Sequence, residues 1–181
     1  MTGEAFRTAE MEETARVMSH IQDLNQAVAE EALGACCEAM PHAVRRLQQL
    51  PFALAAFRFD DAEFWRARIS EQEMMSAHSR QPQPDTCLAR HLLSIAWHCG
   101  RASVGPRLLL GIGREVGELI TTLRFSQLDD IALRHAADVH RRWSEVPRFW
   151  PQMLEAACDE EETRWSRFQL HALRLLGRER Q

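Results

Sequence analysis

Apolar side chains recur every three or four residues along most of this 181-residue chain, a spacing typical of amphipathic helices. The pattern is longest in residues 8–39, which contain no proline and one glycine, and its apolar positions are Met18, Ile21, Leu24, Val28 and Leu33. Similar spacing predicts helices at 41–50, 87–98, 106–123, 147–158 and 160–176, with shorter helices after Asp61 and from Ser126. We find no convincing series of strands, so the predicted class is all-α.

Proline and aspartate mark several predicted boundaries. Pro41 suits the first turn of a helix, whereas Pro51 disfavours helix in the residue before it. Asp60 and Asp61 are suited to cap the helix that follows them. The stretches 52–59 and 139–143 are short and apolar or partly alternating, which predicts extended or irregular chain in both.

Composition excludes several classes of protein. Apolar residues make up 45% and charged residues 27%, which suits a globular core and not a disordered tail, a fibre or a membrane protein. The net charge of −4 argues against binding nucleic acid by bulk charge alone. All 22 basic residues are arginine, which we attribute mainly to genome composition.

The N-terminal segment and the cysteines predict a cytoplasmic protein without membrane contact. Residues 1–16 mix glutamates with small residues and lack the basic and apolar regions of a secretory signal. The five cysteines are odd in number and have no C-x-x-C spacing, so they indicate neither a disulfide framework nor a zinc site. We therefore expect reduced thiols, most of them buried.

One clear linker divides the chain. Ser79–Thr86 contains two prolines among polar residues, which makes it stiff and exposed. It separates an N-terminal helical unit, residues 1–78, from a C-terminal helical unit, residues 87–181, which carries an extra helix at its end. The chain is long enough for two small units that share one core.

The two units show an internal repeat. Leu33-Gly34 matches Val116-Gly117 at an offset of 83 residues, Arg58 matches Arg142 at 84, and Phe64-Trp65 matches Phe149-Trp150 at 85. Because each unit alone would bury its apolar face poorly, the repeat predicts two related helical units packed as a pseudo-twofold bundle. Chance similarity between amphipathic helices is the alternative.

Part of the repeat resembles a known family. Met40–Leu47 followed by Ala56–Asp61 resembles the flagellar transcriptional regulator FlhD, whose family carries a short proline-containing helix and then a Phe-Arg-Phe-Asp-Asp strip. Leu109–Ile112 and Phe125–Ala132 resemble the preceding part of the same family. That family is a single short unit that dimerises, whereas this chain would hold two units in tandem, and its last helix has no counterpart there.

The resemblance implies a bacterial all-α transcriptional regulatory protein that acts through a zinc-binding partner subunit. We therefore expect a protein partner, with DNA contacted through that partner or directly. The alternative is a non-enzymatic all-α adaptor, chaperone or structural component of a secretion or flagellar apparatus. The chain itself would be a monomeric pseudo-dimer or a homo-oligomer.

Arginines and tryptophans at repeat-related positions are the candidate contact residues, because guanidinium groups pair with phosphate and tryptophan is favoured at interfaces. The predicted contacts to DNA or a partner are Arg45, Arg46, Arg58, Arg66, Arg141 and Arg142. Trp65 and Trp150 are the predicted interaction aromatics. Solvated Arg–Glu pairs and burial in the core are the respective alternatives.

For two further motifs we favour a structural role over phosphate binding or metal binding. Gly111-Ile112-Gly113 precedes a helix, as phosphate-binding turns do, but no βαβ unit surrounds it, so close packing of helices is preferred. Cys87, His91 and His98 could converge on a metal ion, yet no fourth ligand is evident.

Catalytic constellations are absent from the sequence. His135 and His140 flank Asp138, but their spacing is poor for one helix face, and no serine or cysteine lies in a nucleophile motif. We therefore predict that the chain is not an enzyme and needs no cofactor or metal.

Overall fold

The computed structural model describes residues 3–74, 85–101 and 104–178. Its helices are α1 (Gly3–Leu33), α2 (Pro41–Gln48), α3 (Ala62–Met74), α4 (Asp85–Gly100), α5 (Val104–Leu110), α6 (Arg114–Thr122), α7 (Phe125–His135), α8 (Phe149–Cys158) and α9 (Glu162–Arg178), with 3₁₀ turns at Gly34–Cys36 and Ala136–Asp138. Strands β1 (Ala55–Ala56) and β2 (His140–Arg141) pair antiparallel. The all-α class is confirmed, and this small ribbon is the exception to it in the described ranges.

Local contacts explain two boundaries that the sequence predicted. Pro41 is the first residue of α2, where its missing N–H costs no hydrogen bond. The Oδ1 atom of Asp61 accepts a hydrogen bond from the backbone N–H of Phe64 at 2.9 Å and so caps α3.

Three predicted helix limits are wrong. α1 ends at Leu33 and not near Ala39, because Gly34 takes a φ of +53° directly after it. The predicted helix over 106–123 is two helices, because Gly111 has a φ of +72° and ends α5. α7 begins at Phe125, so Ser126 lies inside the helix and does not cap it.

The apolar stretch 52–59 runs through the centre of the molecule. Its side chains are almost entirely buried from Phe52 to Ala55, and beyond the β1–β2 ribbon its backbone is bonded to the second half of the chain at three points. The N–H of Ala53 donates to Leu109 O at 2.9 Å, Leu54 O accepts from the N–H of Arg142 at 2.8 Å, and Phe59 O accepts from the N–H of Gly113 at 3.2 Å. Extended chain is stable here because neighbouring segments satisfy its backbone groups.

Both halves contribute to one hydrophobic core. The buried cluster contains residues of the first unit, such as Ile21 and Trp65, together with residues of the second, such as Leu92 and Phe149. α1 packs on α2 and α4, α2 packs on α8, and α3 packs on α6. No helix in the described ranges has the length and apolar character required to cross a membrane.

The predicted linker 79–86 lies mostly outside the described residues. Its last two residues, Asp85 and Thr86, belong to the first turn of α4, and Thr86 is buried. The helix therefore begins two residues earlier than the predicted C-terminal unit.

Two contacts recur at repeat-related positions. Trp65 Nε1 donates to the backbone carbonyl of Arg58 at 2.9 Å, and Trp150 Nε1 donates to that of Arg142 at 2.8 Å. In the ribbon Ala56 pairs with His140, its counterpart at the offset of 84 residues, and an antiparallel pair has a local twofold axis. The glycine match of the repeat is wrong, because Gly34 follows α1 whereas Gly117 lies inside α6. Pseudo-twofold packing of the whole bundle stays a prediction.

Candidate interaction surface

Arg142 is not available to a partner or to DNA. It is 4% exposed, and its guanidinium donates to the carbonyls of Leu109 at 2.9 Å and Leu108 at 3.4 Å in the last turn of α5. It also lies over the ring of Trp143, 4.6 Å from the centroid. A cation is favourable at a helix C-terminus, where carbonyls lack helical partners, so Arg142 stabilises the fold.

Arg46 likewise binds the carbonyls at the C-terminus of α8. Its side chain is 16% exposed and donates to the carbonyls of Ala156 at 3.3 Å and Ala157 at 3.4 Å, and also to that of Asp159. Its other nitrogen pairs with Glu162 at 2.7 Å. This arginine thereby ties α2 to the junction of α8 and α9.

The other predicted arginines are more exposed, and three of them have partners within the chain. Arg58 pairs with Asp61 and Asp138, Arg66 pairs with Glu115, and Arg141 pairs with Glu31. Arg45 is exposed, with no ion pair among the described residues. The structure therefore does not gather the six arginines into one open surface for phosphate.

The predicted interaction aromatics lie in the core. Trp65 is fully buried and stacks on Phe59 with ring centroids 6.2 Å apart, and Trp150 is also buried. Both indole N–H groups are satisfied by the backbone contacts described above. Their repeat-related spacing reflects a shared packing role, and neither offers an aromatic surface to a partner.

The glycine motif is a packing device. A Cβ on Gly111 would lie 2.8 Å from the Arg142 guanidinium, and one on Gly100 would lie 2.9 Å from the carbonyl oxygen of Gly117. These glycines let an arginine and a neighbouring helix approach the backbone closely. Gly111 also lines a cleft of about 380 Å³, whose polar lining includes Asp60, His140 and Glu145.

The histidines and acids of the second half form local contacts. His135 Nδ1 lies 3.1 Å from Asp138 Oδ2, and its Nε2 lies 3.2 Å from Arg68. His140 contacts the backbone carbonyl of the same Asp138 at 3.0 Å. His135 ends α7 whereas His140 lies on β2, so the two histidines do not share a helix face. Burial and the Arg68 charge lower the pKa of His135, against the opposing effect of Asp138.

The predicted metal alternative finds no support in the described residues, where no group of three histidine, cysteine or acidic side chains is arranged to hold an ion. Cys87 and His98 are exposed, while His91 is half-buried, 6.0 Å from the ring of His20. Burial and the neighbouring His20 lower the pKa of His91.

The expectation that most thiols are buried is wrong. All five cysteines are free, but only Cys99 is buried, and burial raises its pKa to about 12. Cys36 and Cys87 are exposed, and Cys37 and Cys158 are half-buried.

An apolar groove lies along α9. Leu170 is 59% exposed and Leu173 is 46% exposed, although the opposite face of α9 is buried through Trp165, Phe168 and Ala172. The two leucines, with Pro51, Phe52, Ser166 and Gln169, line a groove of about 350 Å³. We call this feature the α9 groove.

Asn25 holds the wall of the α9 groove opposite the helix. This fully buried amide donates to Phe52 O at 2.9 Å and, more weakly, to Leu50 O at 3.4 Å, and it accepts from the N–H of Leu54 at 2.8 Å. The chain has no other asparagine. By satisfying three backbone groups, the side chain fixes the turn that places Pro51 and Phe52 beside α9.

Exposed arginines lie on α9 next to Leu170, outside the residues that line the α9 groove. One of them, Arg167, also lines a separate cleft with Glu155 of α8. Arg167 lies three residues before Leu170 and Arg174 four residues after it, so both are neighbours of this leucine on the helix surface. Arg178 follows one further turn along. All three are exposed and have no ion pair in the parts of the chain that the structure describes. We call these residues the α9 arginine stripe.

No known protein helps to interpret the α9 groove or the arginine stripe: no family model, curated protein or solved structure matches the chain. Sequence reasoning missed both features because Leu170 and Leu173 fit the apolar pattern of a core helix. The sequence signal that could have revealed the groove was the width of the apolar pattern around the helix. The apolar positions of α9 cover more of the helix surface than one packed face requires.

Proposed function

We propose that this chain is a non-enzymatic protein-binding module, which docks a protein partner in the α9 groove. The observation that carries the proposal is the exposure of Leu170 and Leu173 beside Pro51 and Phe52. Two adjacent leucines in a concave site gain hydrophobic free energy when a partner covers them. Other side chains of α9, Trp165, Phe168 and Ala172, form its buried face, so about half of each leucine stays open to solvent.

Five of the six arginines predicted to contact DNA or a partner are engaged within the chain, which supports a protein partner over direct contact with DNA. Arg46 and Arg142 serve as helix caps, and Arg58, Arg66 and Arg141 pair with carboxylates. The net charge of −4 offers no general attraction for phosphate. DNA contact through these five arginines would first require their internal contacts to break.

The test compares what co-purifies with matched variants of the full chain from cells that express it. Leu170→Ser/Leu173→Ser removes the two leucines of the groove, and Met11→Ser/Phe125→Ser removes two other exposed apolar side chains. We expect a partner that the wild type and the control retain equally, and that the leucine variant loses by about tenfold or more. Equal retention by both variants, or a protein lost from both, would contradict the proposal.

A second candidate function is transcriptional regulation of the FlhD type, in which the docked partner provides the contact with DNA. The recurring Trp–Arg contacts favour it, because they support the two related units that such a regulator would combine in one chain. An adaptor or chaperone of a secretion or flagellar apparatus fits the same groove.

A mobility-shift series over increasing salt separates the regulator from the adaptor. Under the regulator hypothesis, the chain with its recovered partner shifts duplex DNA and the chain alone does not. If neither preparation binds DNA at low salt, the regulator hypothesis fails and the adaptor remains.

A further inference from the structure

We infer that the segment docked in the α9 groove is an acidic amphipathic helix. This inference rests on the proposed function and names the chemistry of the partner. The apolar row of such a helix would cover Leu170 and Leu173, and its carboxylates would face the α9 arginine stripe.

Charge complementarity is the first argument. The chain carries more acidic than basic groups, and many of its arginines pair with its own carboxylates, as Arg66, Arg90 and Arg141 do. Arg167, Arg174 and Arg178 depart from this pattern on one exposed side of one helix. A basic border beside an apolar groove favours a partner of opposite sign and disfavours a basic one.

The shape of the α9 groove is the second argument. Its lining residues on α9 run from Ser166 to Leu173, two helical turns in length. The opposite wall is a fixed turn at Pro51 and Phe52 rather than an open strand edge, so it offers no ladder for an extended peptide. A helix with apolar residues at positions i, i+3, i+4 and i+7 matches such a groove.

The same charges argue against a second copy of this chain in the groove. A symmetric contact between two α9 helices, with the leucines at its centre, would bring Arg167 of one copy near Arg174 of the other. Like charges at such a contact oppose association.

A membrane surface also fits poorly. An interfacial helix inserts a broad apolar face, whereas Trp165, Phe168 and Ala172 are buried against the chain's own core. Two leucines in a concave groove leave little apolar area to insert.

The test uses a synthetic helical peptide of about 18 residues with leucine at i, i+3, i+4 and i+7 and glutamate at the flanking positions. A second peptide replaces each glutamate with lysine. Fluorescence anisotropy with the full chain should give a Kd for the glutamate peptide that is lower by about tenfold or more, with the difference shrinking as salt is added. Equal affinity for the two peptides would overturn the inference.

Charge reversal on the chain separates recognition from non-specific attraction. Arg167→Glu/Arg174→Glu should reverse the preference between the peptides. The control Arg114→Glu/Arg124→Glu makes the same change in net charge on other exposed arginines and should preserve the preference. All four side chains are exposed, so thermal unfolding should report folded protein in each case. A preference unchanged by the α9 substitutions would contradict the inference.

Two further measurements exclude the other occupants. The wild type should remain monomeric in sedimentation at the concentrations used, and it should not bind vesicles of mixed phosphatidylglycerol and phosphatidylcholine. A dimer that Leu170→Ser disrupts, or vesicle binding that Arg167→Glu/Arg174→Glu abolishes, would overturn the assignment of an acidic helix.

Failure of the inference and failure of the proposed function give different results. If the glutamate peptide does not bind but Leu170→Ser/Leu173→Ser still loses its cellular partner, the acidic helix is wrong and protein docking stands. If the leucine variant also keeps its partner, both are wrong.

Discussion

At the scale of single residues, Asn25 has the largest structural consequence for the α9 groove. We expect Asn25→Ala to lower the free energy of unfolding by about 2–3 kcal/mol, because it leaves buried backbone groups near Phe52 without partners. Urea denaturation measures the change. The control Gln26→Ala alters the adjacent, exposed amide and should cost less than about 0.5 kcal/mol. Equal costs for the two variants would contradict the role given to Asn25.

His135 provides a pH-dependent contribution to stability at the same scale. Its pKa is lowered in the folded protein by burial and by Arg68, so near pH 6.5 the unfolded chain binds more protons than the folded one. Stability from this group is therefore present above that pH and lost as the pH falls below it. We expect His135→Gln to make the decline in unfolding free energy between about pH 7 and about pH 5 shallower.

The difference in unfolding free energy between wild type and His135→Gln should change as the pH falls from about 7 to about 5, because only the wild type loses stability through this group. Parallel curves would show that His135 does not carry the effect, and His91→Gln would then test the other histidine whose pKa is lowered.

At the scale of elements, arginines at helix C-termini fix how the two halves meet. We expect Arg142→Ala to cost about 3 kcal/mol, because the last carbonyls of α5 and the ring of Trp143 both lose a buried cation. Arg114→Ala, which removes a highly exposed arginine from α6, should cost less than about 0.5 kcal/mol. If Arg142→Ala is as stable as the wild type, Arg142 does not stabilise the fold and is again a candidate for contact with a partner or DNA.

The break between α5 and α6 depends on one glycine. Gly111→Ala places a side chain at a φ of +72° and against the Arg142 guanidinium, so we expect a loss of about 1–3 kcal/mol in thermal or chemical unfolding. Gly105→Ala adds the same methyl group within α5, where nothing lies within 4 Å, and should be neutral or slightly stabilising. If the two variants behave alike, the backbone strain assigned to Gly111 is wrong.

Periodicity predicted the existence of the helices better than their ends. The apolar spacing in residues 106–123 continues through Gly111 without a change of phase, so periodicity alone does not reveal the break that the φ of +72° at Gly111 makes. Asp61, in contrast, caps α3 through a bond to Phe64 three residues later, and such a local signal can be seen in the sequence.

At the scale of the whole molecule, the sequence predicted a shared core but not the available surface. From the sequence alone, Arg46 and Arg142 are as suited to bind phosphate as any exposed arginine. Their capping role depends on carbonyls in distant parts of the chain, which only the structure identifies. The α9 groove likewise joins Pro51 to Leu170, residues that no local pattern relates. Burial of Trp65 and Trp150 was the alternative that the sequence left open.

Photo-crosslinking tests the central claim, that a protein docks in the α9 groove, most directly. A benzophenone amino acid replaces Leu170, or in a matched control the exposed Phe125 of α7, and the full chain is irradiated in the cells that express it. The account predicts an adduct between position 170 and a different protein, through an acidic helical segment, and none of that adduct from position 125. The same adduct from both positions, or an adduct at 170 with a second copy of this chain alone, would contradict it.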